Sequence, residues 1–476
     1  MKKTSAILSS YKKPLFAIAA ALLLSFTVTV FVRAYTLRRP LPQEPLSQSQ
    51  KQSLETALNQ AYPERTAVLR PLPYPVNPAV LDVRARSAIA VNIQNGCVLY
   101  EKNADELIPP ASMTKIFLMY TVFQKIKDGK ISLDDVVPLP EECWASRMPP
   151  RSSLMFLGKG QTVTLKELLT GIAVCSGNDA SHAVAYYLFG DTGKFISEVN
   201  RQIQLLGLTK TRIEEPSGYS EKNVTTAREM AAFARVYVSK YPESLELFHS
   251  IKKITYPSQK NLPPNQKKRQ PQDFSKGIPD EIWTPVTQEN TNKLLKTLEG
   301  CDGLKTGYID ESGYNLSLTC LRNGMRCISV TMKGPGKNLY EGNEYRISDG
   351  TLLQEFGFNC FLEIPELDEI KDFYAVSLLG CKEDCAALVP AFPVKTVIPK
   401  IYDEIGNDLS CKIEVEYEIP KALYGKISCG SVYGKITVKR GNFVIEEIPL
   451  AAQKDIEESS GLKKMFDRLV YYSIKK

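Results

Sequence analysis

The sequence predicts an α+β fold: an antiparallel sheet with helices packed on it, followed by a small all-β domain. Three observations carry this. Two Asn-Gly pairs, Asn95-Gly96 and Asn323-Gly324, each stand between strand-like runs, Ser87–Gln94 with Cys97–Tyr100 and Asn315–Arg322 with Cys327–Met332. Such a dipeptide between alternating runs is the strongest short hairpin signal. Helical stretches lie between the two hairpins, among them 226–238 with Met230, Phe233, Ala234 and Tyr237 on one face. Finally, Cys411–Ile419 alternates apolar and charged residues without a break, the pattern of a half-buried strand, and Lys435–Lys439 and Asn442–Glu446 repeat it across Arg440-Gly441.

Taken in order, residues 1–14 are a basic segment with Lys2, Lys3, Lys12 and Lys13. Leu15–Val32 runs without a charge, long for a signal-peptide core and short for a membrane span. Val32-Arg33-Ala34 makes a poor cleavage site because of its arginine, and Arg33, Arg38 and Arg39 weaken the positive-inside contrast without reversing it. An uncleaved transmembrane anchor is favoured over a cleaved signal; both readings export the rest of the chain to a cell membrane's outer side. Residues 33–79, rich in Pro and Gln, read as a spacer with a short helix near Lys51–Tyr62. A main domain spans 80–358, an all-β domain 359–452, and an amphipathic helix 456–476. In that helix Leu462, Met465, Phe466, Leu469 and Tyr472 share one face, with Lys463, Lys464, Asp467, Arg468 and Lys475 around the other, a pattern suited either to a membrane interface or to docking on the β domain.

Within the main domain three short motifs follow in order: Ser112-Met113-Thr114-Lys115, Ser176-Gly177-Asn178 and Lys305-Thr306-Gly307. They supply a nucleophile, a proton acceptor, a bridging hydroxyl, an amide and a cation, enough to open an amide through an acyl-enzyme without histidine. Pro109-Pro110 stops the preceding segment, and Ser112 opens the apolar run Ile116–Phe123, a buried helix presenting its N-terminus at a cleft. Ser112 and Lys115 share a helix face, and a dehydrated lysine has the lowered pKa of a base. Thr164-Leu165-Lys166-Glu167 is a capping box whose helix runs to Ser176-Gly177-Asn178, with Gly177 as the natural terminator. Ser176 stands as a proton relay and Asn178 as holder of a substrate amide. Gly303–Tyr308 reads as a strand on whose edge Gly307 leaves room for a ligand, while Lys305 and Thr306 bind a carboxylate.

From roughly Ala88 to Phe358 the chain resembles the low-molecular-mass penicillin-binding proteins of the D-alanyl-D-alanine carboxypeptidase type. The resemblance rests on the three motifs and on Ser153–Leu157, Glu215-Pro-Ser-Gly218, Thr226-Ala227 and Gly313-Tyr-Asn-Leu316. It implies Ser112 as nucleophile, Lys115 as general base, Ser176 and Asn178 flanking the cleft, and Lys305, Thr306, Gly307 and Tyr308 in substrate binding. The backbone amides of Ser112 and Tyr308 then form the oxyanion hole. The implied substrate is a peptidoglycan pentapeptide, with β-lactams as covalent inhibitors. Glu229 and Ser312 depart from the family pattern away from the chemistry. A Pro-, Gln- and Lys-rich insertion, Tyr256–Trp283, lengthens the second-to-third motif spacing to 129 residues.

Composition narrows the alternatives. His182 and His249 are the only histidines, too few for a zinc carboxypeptidase, and no cofactor is expected. His182 reads as a packing residue. No phosphate-cradling glycine loop or nucleic-acid module is present, and the +7 charge, concentrated at both ends, suits an anionic membrane surface rather than DNA. Eleven cysteines cannot all pair within one chain; Cys320 and Cys327 fall opposite each other across Asn323-Gly324, and Cys175 beside Ser176 reads as packing with a possible sensitivity to thiol reagents. Two rivals stand beside the carboxypeptidase: a β-lactamase, for which no deacylating glutamate is evident between Asn178 and Lys305, and a non-catalytic penicillin-binding sensor, for which no room exists before the apolar run.

Overall fold

A computed structural model describes residues 20–30, 32–33, 37, 46–62, 65, 67–75, 79–264, 270–363, 370–371, 374–392, 397–400 and 413–475. The chain forms two compact units. One joins Met1–Ala67, Ile364–Lys395 and Ser410–Lys476; the other joins Val68–Glu363 and Thr396–Leu409.

The larger unit is built on an antiparallel five-stranded sheet. Its strands are β1 (Ser87–Asn92), β2 (Val98–Lys102), β7 (Cys301–Ile309), β8 (Gly313–Arg322) and β9 (Met325–Gly334), in the order β2-β1-β9-β8-β7. Short ribbons pair β3 (Val136–Val137) with β4 (Val163–Thr164), and β5 (Lys253–Tyr256) with β6 (Val286–Glu289). β10 (Phe361–Glu363) pairs with β13 (Val397–Pro399). One cluster of buried side chains joins β1 and β9 to the helices α3 (Lys115–Lys127), α4 (Leu165–Val174), α5 (Asn178–Phe189), α6 (Thr192–Leu205) and α7 (Ala227–Lys240). A second cluster lies beneath α8 (Leu339–Cys360). Burial of these apolar faces is the dominant favourable term in holding sheet and helices together.

Asn323-Gly324 makes the expected two-residue turn, with Arg322 opposite Met325 and positive φ at both turn residues (49° and 82°). Cys320 faces Cys327 as expected, and Cys301 faces Cys320 on the other side; all three are free thiols. The Asn95-Gly96 turn is wider than two residues. Asn92 Oδ1 accepts from Asn95 N and Asn95 Oδ1 from Cys97 N, so local Asx bonds close the loop over Ile93–Gly96 and end β1 early.

The 22-residue α8 escaped the periodicity reading because glycines line the face it buries. A Cβ on Gly342 would lie 2.1 Å from the Tyr314 ring, and one on Gly350 2.9 Å from Leu316. Their absence lets the helix lie directly against β8.

The smaller unit holds a six-stranded sheet in the order β14-β16-β17-β12-β11-β15. Its strands are β11 (Tyr374–Leu379), β12 (Cys385–Pro390), β14 (Glu414–Glu418), β15 (Ala422–Tyr424), β16 (Val432–Arg440) and β17 (Phe443–Ala452). β14 sits at the edge and is mostly exposed, more so than its alternation implied, because only one neighbour covers it.

The stretch read as a spacer contributes to this unit's core. α2 (Gln48–Ala61), opened by a Ser47–Gln50 capping box, buries Leu54 and Leu58 against Ala391 and Ala451. Of the apolar run Leu15–Val32, residues 15–19 and 31 lie outside the described residues, and 20–30 form α1. Among the described residues no helix is long and apolar enough to cross a membrane. Val30 packs with Leu379, Ala422 and Val470, and Phe26 meets the Phe466 ring edge-on at 5.4 Å.

α9 (Gly461–Ile474) turns a face toward the sheet that the helical wheel had assigned otherwise. Val470 and Asp467 are buried, Asp467 accepting from Gly380 N and pairing with Arg33 at 3.4 Å. Asp467 therefore belongs to the packed face and not to the polar one, since its carboxylate has partners there. Leu462, Met465, Leu469 and Tyr472 stay exposed.

Candidate active site

The nucleophile's setting follows from two prolines and a strained turn. Pro109-Pro110 leads into a 3-10 turn, Ala111–Thr114, with Ala111 at φ +48°. α3 begins at Lys115 and is buried on all sides through Phe123, as an all-apolar run requires. Two glycines let neighbouring backbone close on the turn. A Cβ on Gly218 would lie 1.9 Å from Ala111 O, and one on Gly307 2.5 Å from Pro110 O and 3.2 Å from Ser112 N.

Lys115 is fully buried, and its Nζ stands 2.9 Å from Ser112 Oγ, 2.9 Å from Asn178 Oδ1 and 2.5 Å from Ser217 O. Burial pushes its pKa down to about 7, against a smaller upward pull from the Glu215 and Asp179 carboxylates. Near neutral pH Lys115 can therefore present a free amine lone pair beside the serine hydroxyl.

The second motif is built differently from its sequence reading. α4 starts at the predicted Thr164–Glu167 capping box but ends at Val174, and the left-handed residue after it is Ser176, with φ +61°. Gly177 does not terminate the helix; it is the N-cap of α5. Glycine is needed there for space, since a Cβ would meet Asp179 Oδ1 at 2.8 Å and Met155 Cβ at 3.0 Å. The αL turn places the Ser176 hydroxyl in the interior, where it has no hydrogen-bond partner among the described residues. Cys175 next to it is buried and bonded to Gly171 O, with its thiol pushed up to about 12 by burial, so the expected reagent sensitivity has no physical basis.

Lys305, Thr306, Gly307 and Tyr308 lie on β7, the edge strand. Lys305 is buried and donates to Thr306 O at 3.1 Å; burial, then the Lys115 and Arg346 charges, hold its pKa well below the usual lysine value. Thr306 Oγ1 bonds Thr291 Oγ1 at 2.8 Å. Tyr308 is half exposed at the cleft, its hydroxyl donating to Asp310. The cleft over Ser112 is lined by Ser153, Asn178, Tyr219, Tyr308 and the ion pair Arg151–Asp310 (2.8 Å).

Sequence reasoning gave no role to the groups that brace this site. Asn223 donates to Thr114 Oγ1 and to Glu215 O and Oε1, and accepts from Glu214 N and Glu215 N. Glu215 in turn accepts from Ser217 N and Oγ, fixing the carbonyl that meets Lys115. Asp179, fully buried, accepts from Met155 N, Leu157 N and Ala180 N and so holds the 153–157 strap beside the cleft. Such carboxylate–amide bonds are among the stronger ones in a protein. Their only signal in sequence was a polar residue inside or beside a motif block. His249 is a neutral core bridge between Tyr237 and Leu304 O, its pKa lowered to about 4 by burial. His182 is partly buried, and burial lowers its pKa as well.

The insertion Tyr256–Trp283 packs on the loop before α4: Phe274 stacks on Phe156 at 5.4 Å, and Asp280 binds Ser146 and Arg147. None of its described residues lines the cleft.

This geometry coincides with a family match. Peptidase S11, described as D-alanyl-D-alanine carboxypeptidase, matches residues 74–336. The chain belongs to that family. The D-alanyl-D-alanine carboxypeptidase DacD of Salmonella typhimurium is 31% identical, over 82% of this chain and 90% of its own. DacF of Bacillus subtilis is 29% identical over 79% and 86%. Penicillin-binding protein 5 of Haemophilus influenzae superposes with a TM-score of 0.64 at 27% identity, covering 81% of this chain and all of its own. This D-alanyl-D-alanine carboxypeptidase family member is thus a serine-type hydrolase of cell-wall peptides and a penicillin-binding protein.

Proposed function

We propose that this carboxypeptidase removes the terminal D-alanine of a peptidoglycan pentapeptide through an acyl-enzyme on Ser112. The observation that carries the reading is a fully buried Lys115 with its pKa near 7 and its Nζ 2.9 Å from Ser112 Oγ. Neutral Lys115 takes the hydroxyl proton as Oγ attacks the penultimate D-alanine carbonyl. The resulting oxyanion faces the N–H groups of Ser112 and Tyr308, in a site where preorganised donors lower the barrier most. Collapse breaks the amide bond, and the departing amine takes its proton from Lys115, whose Nζ bonds Ser112 Oγ and not Ser176. Water then releases the acyl peptide by the same steps in reverse order. Lys305 and Thr306 hold the terminal carboxylate, and Asn178 a backbone amide carbonyl of the substrate. A carboxylate arriving beside Lys305 replaces the hydration that burial removed and restores its charge. β-Lactams acylate the same serine.

Export to the outer side of a cell membrane, with attachment to its surface, completes the reading. It is supported by the charge-free Leu15–Val32 run and by the outward stripe Leu462, Met465, Leu469 and Tyr472 on α9, flanked by Lys463, Lys464 and Arg468.

The test is D-alanine release from a peptide ending in D-Ala-D-Ala by the parent and by Ser112→Ala, with fluorescent penicillin labelling alongside. Release and labelling by the parent alone establish the pathway. Labelling without release points instead to a transpeptidase, a sensor or a degenerate enzyme, and release by Ser112→Ala overturns the nucleophile.

A further inference from the structure

We infer that Asn315 and Arg346, two buried residues outside the three motifs, are positioning residues that hold the two amides of the oxyanion hole in register. The inference rests on the acyl-enzyme reading above. Asn315 lies on β8 directly opposite Gly307 and is fully buried. Its Oδ1 accepts from Lys333 N at 2.8 Å, at a bulge of β9 where Lys333 has φ +56°. Its Nδ2 donates to Pro109 O at 2.9 Å. One side chain therefore ties the sheet to the backbone three residues before Ser112, on the strained approach through Ala111.

Arg346 projects from α8 to the other half. Its Nη1 donates to Gly307 O at 3.4 Å, its Nη2 to Asn343 Oδ1, and its guanidinium lies 5.5 Å from the centre of the Tyr314 ring. It is 8% exposed and makes no ion pair among the described residues. Gly307 C=O and Tyr308 N–H belong to one planar trans peptide, so they point in opposite directions. The pairing of Gly307 with Asn315 in the β7–β8 ladder orients this peptide, and the Arg346 cation, as a further donor to Gly307 O, steadies it and withdraws electrons from Tyr308 N–H. Tyr314 extends the brace, its ring lying between Arg346 and the Tyr308 ring (4.5 Å between centres). The absent Cβ of Gly307 then brings this peptide against Ser112 N. The bonds to Pro109 O and Gly307 O thus add to the strand pairing in holding both donors toward one point.

The experiment compares Asn315→Ala, the near-isosteric Asn315→Asp, Arg346→Met and Arg346→Lys with the parent. It measures kcat and KM for D-alanine release, the acylation rate and prior non-covalent affinity for a penicillin, thermal midpoint, and inhibition by a peptide boronic acid. The tetrahedral boronate on Ser112 occupies the oxyanion position. For Asn315→Asp and Arg346→Met we expect kcat, acylation rate and boronate affinity to fall together by about ten- to a hundredfold, while KM and penicillin affinity change less than about threefold. Arg346→Lys should recover part of the loss. Undiminished boronate affinity, or losses that follow the thermal midpoint with KM and kcat moving together, would overturn the inference. Release persisting in Ser112→Ala would instead overturn the acyl-enzyme reading beneath it.

Discussion

At the scale of single residues, the site runs on burial. Lys115 is placed where water cannot solvate its charge, and its pKa of about 7 is the result of that burial, set against a smaller upward pull from the neighbouring Glu215 and Asp179 carboxylates. Acylation by a penicillin should therefore rise with pH through about 7 and level off above, since only the neutral amine accepts the serine proton. A pH profile of the single-turnover acylation rate checks this. Removing the charge of Glu215, which holds the Lys115 pKa up, should move that rise to lower pH in Glu215→Gln, with a smaller plateau because the amide keeps only one of the two oxygens that accept from Ser217 and Asn223. The same physics makes Cys175 inert: iodoacetamide applied to the native enzyme should leave Cys175 unmodified and D-alanine release intact, as peptide mass mapping would report.

At the scale of elements, the catalytic turn is defined by backbone contacts that exclude side chains. Gly218→Ala would force a methyl into Ala111 O at a residue with φ +80°, and Gly307→Ala one into Pro110 O. Each should cut penicillin labelling by at least about a hundredfold, as misplacement of about 1 Å does at other catalytic centres. Asp179→Asn keeps the shape but weakens the three amide bonds that hold the 153–157 strap; denaturant unfolding should show a loss of roughly 2–3 kcal/mol. The hairpin at Asn323-Gly324, the capping box before α4 and the amphipathic α7 were legible because each is local, with its signal inside one short window. The end of α4 was misassigned to Gly177 because a glycine needed for space and a glycine needed for positive φ look the same in sequence. α8 was missed for a related reason, since its buried face is partly glycine and carries no apolar period.

At the scale of the whole molecule, the outward apolar stripe of α9 predicts attachment separable from catalysis. Replacing Leu462, Met465 and Leu469 with serine should lower co-sedimentation with anionic vesicles and leave D-alanine release from a soluble peptide unchanged. Raising salt should weaken the remaining binding, because Lys463, Lys464 and Arg468 contribute through screened charge. Order of motifs, hairpin registers, strand alternation and the scarcity of histidine were enough to determine the α+β class, the family, and the candidate nucleophile, base and carboxylate-binding residues, since those signals are local or compositional. Only the tertiary structure decided which helix face is buried, that α2 joins the core of the β-rich unit, that Asn223, Glu215 and Asp179 brace the cleft, and that Asn315 and Arg346 reach the carbonyls beside it. Those outcomes depend on partners tens to hundreds of residues away, whose approach is set by packing and by the need to satisfy buried polar groups, and neither is written in any one stretch of chain.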